Sequence, residues 1–451
     1  MQTRELANFV CQIDEKNTSD ATRLVIRQTV LDTIGAAIAG SATAEGDIWS
    51  RYFLAYHSDE PAATVLGKAL PAAGYRHAAA VNAAFGHILD FDDVCNLAIA
   101  HLGVVTVPGA LAVAQSRNAN GKELMSAVAA GFEIGARIGY AINPSAYKIW
   151  HTTSVVGGLS TCAAVGRLLH LSPDQMLHAF GSAGTQAAGL WEFMADGAMS
   201  KPLHTANATL CGIRSAELAA LGLTGASRIL EGSQGLLRAM SKEYHPERLT
   251  QDFGSEYLIS KNAFKPYPCC RHIHSAMYSM IKLLQKHHLS PNQIVQIRSY
   301  TYDTAQNLTD RPDPATAYAC KFSMQYCLSA IALRGGYDIA IFDDASMQDA
   351  SIRAFMKKIR VISDEDINNK IAQDAACWGN RLEVEYADGT VFTEATDYPP
   401  GDPNAPMTWQ SSLEKFHSLA DPVIGREYAD YISRKIEHLE QVDNVNDIFP
   451  I

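Results

Sequence analysis

From about residue 5 to residue 240 the chain repeats one pattern: apolar positions at helical spacing, with an unusual load of Ala, Gly and Ser. TRLVIRQTVLDTIGAAIAG (22–40), VPGALAVAQSRN (107–118), SAVAAGFEIGARIGYAI (126–142), SVVGGLSTCAAVGRLL (154–169) and NATLCGIRSAELAALG (207–222) are each long enough for a helix. Small side chains let helix backbones approach closely, and a helix that is apolar on most faces belongs inside a fold. These segments are therefore predicted to be buried among one another in an all-α domain.

The period changes near residue 290. IVQIRSYTY (294–302) alternates at period two, and RLEVEYADGTVFTEA (381–395) carries Asp388-Gly389 between alternating flanks, a hairpin signal suited to a type I′ turn. Helical patterns lie between them, in ATAYACKFSMQYCLSAIALRGG and around residues 345–358. YPPGDPNAPM (398–407) breaks regular structure, and helical patterns return in WQSSLEKFHSLA and REYADYISRKIEHLEQ. The expected fold is mostly α: an all-α domain over 1–260 and 405–451, formed by both chain ends, and a smaller α+β domain over 261–404. A chain of 451 residues exceeds one compact core, which agrees with two domains.

The 48 acidic and 37 basic residues give a net charge of −11 with no basic blocks, which argues against nucleic acid or an acidic membrane as partner. MQTRELANFVCQIDEKN is an amphipathic helix pattern with internal charges and not a signal peptide, and no apolar run reaches the roughly 20 residues of a membrane span. The nine cysteines, an odd number with several in apolar helical patterns, suggest reduced structural thiols and a cytoplasmic location.

Four segments concentrate ionisable groups beside turns or helix starts. LDFDDVCNLAIAH (89–101) holds Asp90, Asp92, Asp93 and His101. These are either a solvated helix end or acids that orient a histidine or a substrate hydroxyl. In KIWHTTSVVGG (148–158), His151 precedes Thr152, Thr153 and Ser154, natural N-caps for the next helix, whose free N–H groups would suit a carboxylate. In DGAMSKPLHTANATLCG (196–212), Pro202 fits a first helical position, which puts Lys201 at the cap and His204 one turn on. A lysine held partly out of water near other cations can act as base or acid near neutral pH.

The fourth segment, FKPYPCCRHIH (264–274), poses a choice among metal site, redox pair and anion pocket. Adjacent cysteines lack the spacing of zinc ligands, and no second pair appears. A helix is predicted from about Pro268, so Lys265, Arg271 and a helix N-terminus would converge on an anion, with the guanidinium clamping a carboxylate. Together the segments suit proton abstraction next to a carboxylate, with cations stabilising enolate-like charge.

VLDTIGAAIAGS (30–41), AFGHILDFDDV (84–94), the His101 segment, HTTSVVGG (151–158), SKPLHTANA (200–208), FKPYPCCRHIH (264–274) and GDPNAPMT (401–408) carry a likeness over nearly the whole chain. The sequence resembles the MmgE/PrpD family, which includes 2-methylcitrate dehydratase, cis-aconitate decarboxylase and iminodisuccinate epimerase. The resemblance implies an all-α domain from both chain ends with an α+β lid, a homodimer, and an active site between the domains without metal or organic cofactor. It puts site positions on Asp90, His101, His151, Lys201 and Lys265. Val94 and Cys270 stand where the decarboxylase branch has threonine and histidine, and His101-Leu102-Gly103 where the dehydratase branch tends to His-Pro-Ser.

The expected activity is proton transfer on a small di- or tricarboxylate, dehydration first and epimerisation second. Lys201 and His151 are expected to exchange protons with substrate and Asp90 to orient His101. Lys265 and Arg271 are expected to bind carboxylates, with Cys270, Asp93, Ser154 and His204 as further substrate contacts. A non-catalytic carboxylate-binding protein is the alternative of another class.

Overall fold

The computed structural model describes residues 2–55, 62–67, 71–254, 256–335 and 339–449. It divides into two compact units: Met1–Phe193 with Met199–Phe264 and Met407–Ile451, and Met194–Ala198 with Lys265–Pro406. The architecture is mostly α; among the described residues, the one sheet of more than two strands is in the second unit.

The five small-residue segments of the first unit form the helices Asp20–Ser41, Gly103–Ser116, Gly121–Ile142, Thr152–Leu168 and Lys201–Ala220. Their starts obey local chemistry. Ser19 accepts from the Thr22 N–H, and Asn120 with Glu123 forms a reciprocal capping box. Every residue from Gly103 to Gln115 is buried, so this helix runs inside the unit. The glycines sit where helices touch: a Cβ on Gly212 would lie 2.4 Å from Thr161 Cβ and 2.7 Å from the backbone of the Thr152–Leu168 helix. The C-terminal helix Trp409–Ile424 packs on Asp20–Ser41, where Gly35 meets the Phe416 ring. Helical periodicity did not announce one feature, the antiparallel pairing of Val94–Cys95 with Asn262–Ala263.

In the second unit the strand order is Ile359–Ser363, Ile294–Thr301, Asn380–Tyr386, Val391–Thr396; the first pair is parallel and the other two are antiparallel. Helix His274–His287 packs on the last two strands. Three local expectations change. The hairpin at 388–389 closes with Gly389 (φ 87°) as its one residue of positive φ, so the turn is not type I′, which needs two. The helical run 315–336 breaks into Ala317–Cys320 and Met324–Arg334 because Ser323 caps the second helix; Gly336 lies outside the described residues. The helix expected from Pro268 begins at His274, after a 3₁₀ turn Arg271–Ile273, because the Cys270 N–H is bonded to the Lys321 carbonyl.

Candidate active site

The acidic loop after helix Tyr75–Ile88 is buried, not solvated: Asp90, Asp92 and Asp93 are all at most 1 % exposed. Asp90 adopts φ 53°, a left-handed conformation that Asp tolerates better than most residues. The C-terminal segment holds this loop: Lys415 Nζ donates to the Phe91 carbonyl at 2.7 Å and to Asp32 Oδ1 at 2.6 Å. The two flanking acids thereby point to different partners. Asp90 Oδ1 accepts from Lys201 Nζ at 2.6 Å, and Lys201, the first residue of its helix, is 2 % exposed. Asp92 Oδ2 lies 2.8 Å from His87 Nδ1 and 3.2 Å from His101 Nδ1.

The expected pairing of Asp90 with His101 is therefore corrected. Asp90 Oδ1 is 3.9 Å from His101 Nε2, while the carboxylate on Nδ1 belongs to Asp92. His101 is further fixed by its backbone N–H, which donates to Thr153 Oγ1 at 3.0 Å. Asp93 faces elsewhere: its Oδ2 accepts from the Gly103 N–H at 3.1 Å, at the start of helix Gly103–Ser116. A Cβ on Gly103 would stand 2.2 Å from Asp93 Oδ1, so the departure from His-Pro-Ser at this position matches the way the acid is seated.

His151, and not one of the three hydroxyl residues after it, stands at the N-cap of the helix Thr152–Leu168, and its ring makes no cap bond. The imidazole turns inward, stacked on His87 at 5.5 Å and tilted against Trp191 at 4.7 Å, with Nδ1 3.0 Å from His204 Nδ1. His204 and Ser154 line a cavity of about 550 Å³ with Trp150, Phe193, Ser200 and Asn207. Burial, then Lys201, His87 and the other rings, hold His151 well below the usual histidine range. His204 is lowered to about 4 by burial and Lys201, and His87 to about 3, chiefly by burial. Burial pushes Asp92 upward, but His87 and His101 outweigh it and hold the carboxyl well below its ordinary value. Asp93 is raised to about 8 by burial, Asp32 and Asp92.

His87, Asp92 and His101 bring one donor atom each within 4.8 Å of one another, a trio that a search for cysteine spacing overlooks. His87 Nδ1 is within hydrogen-bond distance of Asp92 Oδ2, and His101 Nδ1 stands at ion-pair distance from the same oxygen.

In the second unit Lys265 and Arg271 are buried at 1 % and 4 % exposure. Arg271 Nη1 lies 3.2 Å from His274 Nδ1, and Nη2 lies 3.5 Å from Asp402 Oδ2. The guanidinium thus has a carboxylate of the protein beside it and does not stand at an α-helical N-terminus. Burial lowers Arg271 and raises Asp402. Cys270 is buried, and all nine cysteines are free thiols. Among the described residues no helix is long and apolar enough to cross a membrane.

Family models now meet this geometry. That of the MmgE/PrpD N-terminal domain matches residues 4–249, and that of the C-terminal domain matches residues 267–441. The chain belongs to the MmgE/PrpD family. Its relatives include a cis-aconitate decarboxylase of Homo sapiens, 28% identical over 430 residues, covering 93% of this chain and 87% of the relative. A cis-aconitate decarboxylase of Aspergillus terreus is 28% identical over 454 residues, 94% and 89% of the two chains. A cis-aconitate decarboxylase-like protein of Aspergillus oryzae is 24% identical over 474 residues, 100% and 96%.

In this MmgE/PrpD chain the structure gathers Asp90, His101, His151, Lys201 and His204 in the first unit, with Ser154 on the adjoining cavity. Sequence reasoning passed over His87 and undervalued Asp92, which together form the hub. The signal was present, since His87 lies in AFGHILDFDDV five residues before Asp92. Trp191 had none, because its place against His151 depends on how residues 185–192 return to that helix start.

Proposed function

We propose that this protein is a cofactor-independent lyase that moves a proton at a carbon next to a carboxylate of a small di- or tricarboxylate, with dehydration of a β-hydroxy acid as the preferred reaction. The observation that carries this reading is the opposite treatment of two histidines. His151 is kept neutral by burial and by Lys201, with Nε2 buried and without a hydrogen-bond partner among the described residues. His101 has the anionic Asp92 against Nδ1, which favours a proton on that ring. Paired groups driven apart in this way divide into base and acid.

His151 Nε2 removes the proton α to the carboxylate, and Lys201, anchored by Asp90, offsets the negative charge that develops. His101 then donates to the departing β-hydroxyl, and Asp92 keeps its ring in place. Lys265 and Arg271 are the proposed carboxylate contacts of the second unit. Decarboxylation is the second reading, because the relatives named above are cis-aconitate decarboxylases; Val94 and Cys270 count against it. A homodimer is proposed as well, supported by the exposed Leu210 (36 %) and Leu218 (39 %) along helix Lys201–Ala220 and Leu221 (86 %) just beyond it.

Incubation in deuterated water with succinate, citrate, aconitate and aspartate derivatives tests the shared step. Alkene absorbance from a hydroxy acid supports dehydration, CO₂ release from cis-aconitate supports decarboxylation, and α-exchange with only a change in optical rotation supports epimerisation. Binding without exchange or turnover would leave a carboxylate-binding protein. The Lys201→Ala variant is expected to lose at least 100-fold in kcat/KM; undiminished activity would remove Lys201 from the mechanism.

A further inference from the structure

The contact between His151 and His204 is constrained by hydrogen-bond arithmetic. Two Nδ1 atoms 3.0 Å apart share one hydrogen, so one ring donates and the other accepts. The free end of the pair is Nε2 of His151. With the shared hydrogen on His151 Nδ1, that Nε2 is a lone pair and a base. With the shared hydrogen on His204 Nδ1, His151 accepts there and its Nε2 carries a hydrogen. The state of His204 therefore sets whether His151 removes or delivers a proton.

A single imidazole at this place would be a poor base. The groups facing His151 are His87 from the preceding helix, His101 with Asp92 and Asp90 from the acidic loop, and Lys201 and His204 from the helix Lys201–Ala220. Proton uptake would create a buried cation next to a lysine, which burial and repulsion both oppose.

We propose that His204 is a proton-relay residue that positions and completes His151, so that the two rings work as one base. This rests on the reading of His151 as the group that abstracts the substrate proton. In the step, the Nε2 lone pair of His151 takes the proton, and the C–H electron pair stays on the carbon. The hydrogen on His151 Nδ1 passes along the shared bond to the Nδ1 lone pair of His204. His151 ends neutral with hydrogen on Nε2, and the positive charge is on His204. That ring is half-buried and lines the 550 Å³ cavity beside Ser154, Ser200, Asn207 and Glu192, so its charge forms where water or the Glu192 carboxylate can take the Nε2 proton. Burial and Lys201 lower His204 to about 4, so the charged ring gives its proton up again and does not hold it. Reversal of the same transfers returns a proton to the substrate carbon.

The test uses the full chain labelled with ¹⁵N-histidine. The resting protein is expected to show coupling between two Nδ1 nitrogens across a hydrogen bond; its absence would overturn the proposal without recourse to any variant. His204→Asn, checked by thermal melting, is expected to redistribute the His151 tautomers and lower kcat/KM by about 10–100-fold with little change in KM. It should also turn a bowed proton inventory, two protons in flight, into a linear one. His204→Gln serves if the first variant does not fold. A folded variant with wild-type nitrogen shifts and a wild-type inventory would sink the relay. A wild-type protein that shows the coupling but never exchanges a substrate proton would instead remove the proposed function on which the relay rests.

Discussion

At the scale of the residue, three acids in four positions have three different tasks, set by what each carboxyl meets. Asp92 serves two imidazoles, Asp90 serves Lys201, and Asp93 serves a backbone N–H at a helix start. Asp92→Asn is expected to lower kcat/KM at least 100-fold, because an amide can accept from His87 and His101 but does not favour a proton on either ring. Steady-state kinetics on the identified substrate checks this. Asp93 gives a pH prediction whose sign follows from its raised value of about 8. Between about pH 4 and 8 the native carboxyl keeps a proton that the unfolded chain releases, so this group makes stability fall as pH rises through that window. Asp93→Asn is expected to flatten the decline and to stabilise the protein by roughly 1–3 kcal/mol at pH 8, with little effect at pH 4. Denaturation at both pH values decides it. The residue types at these positions were legible in the sequence, but their division of labour was not. Asp90 and Asp92 are two residues apart, and only the left-handed turn at Asp90 and the anchor from Lys415 send them to different partners.

At the scale of the element, the helices were legible because small apolar residues at helical spacing have one good solution in water, burial against one another. The glycines take part directly. Gly212→Ala would press a methyl into backbone atoms of the neighbouring helix, which cannot rotate away as a side chain tip can. A loss of about 1–3 kcal/mol in thermal or chemical unfolding is expected. Lys415 is the C-terminal helix's link to the acidic loop and is 7 % exposed. Lys415→Met would leave Asp32 buried without that cation, at a cost of about 3–5 kcal/mol, and would free the Phe91 carbonyl. Activity is expected to fall together with the melting temperature. The late start of the helix at His274 was misread because it depends on a backbone bond to a distant residue, the Lys321 carbonyl. The form of the 388–389 hairpin was misread within the turn itself, where the Tyr386 N–H donates to the Thr390 carbonyl and only Gly389 takes a positive φ.

At the scale of the whole molecule, assembly is where sequence and surface meet. If a second copy covers the exposed leucines of the Lys201–Ala220 helix, replacing Leu210 and Leu218 together by Glu should shift the sedimentation coefficient from dimer to monomer at micromolar concentration. An unchanged coefficient would move the contact elsewhere. Sequence by itself determined the family, the helical class, the change of pattern towards a sheet and most of the ionisable cluster. Those properties are written in periodicity and in residue chemistry, both of which are local. Tertiary structure alone decided that Asp92 rather than Asp90 holds His101, that His87 joins it, and that His151 meets His204. These contacts join residues 5 to 53 positions apart, and a distant lysine sets the orientation of the acidic loop. Packing therefore selects among several partners that the chain makes equally available.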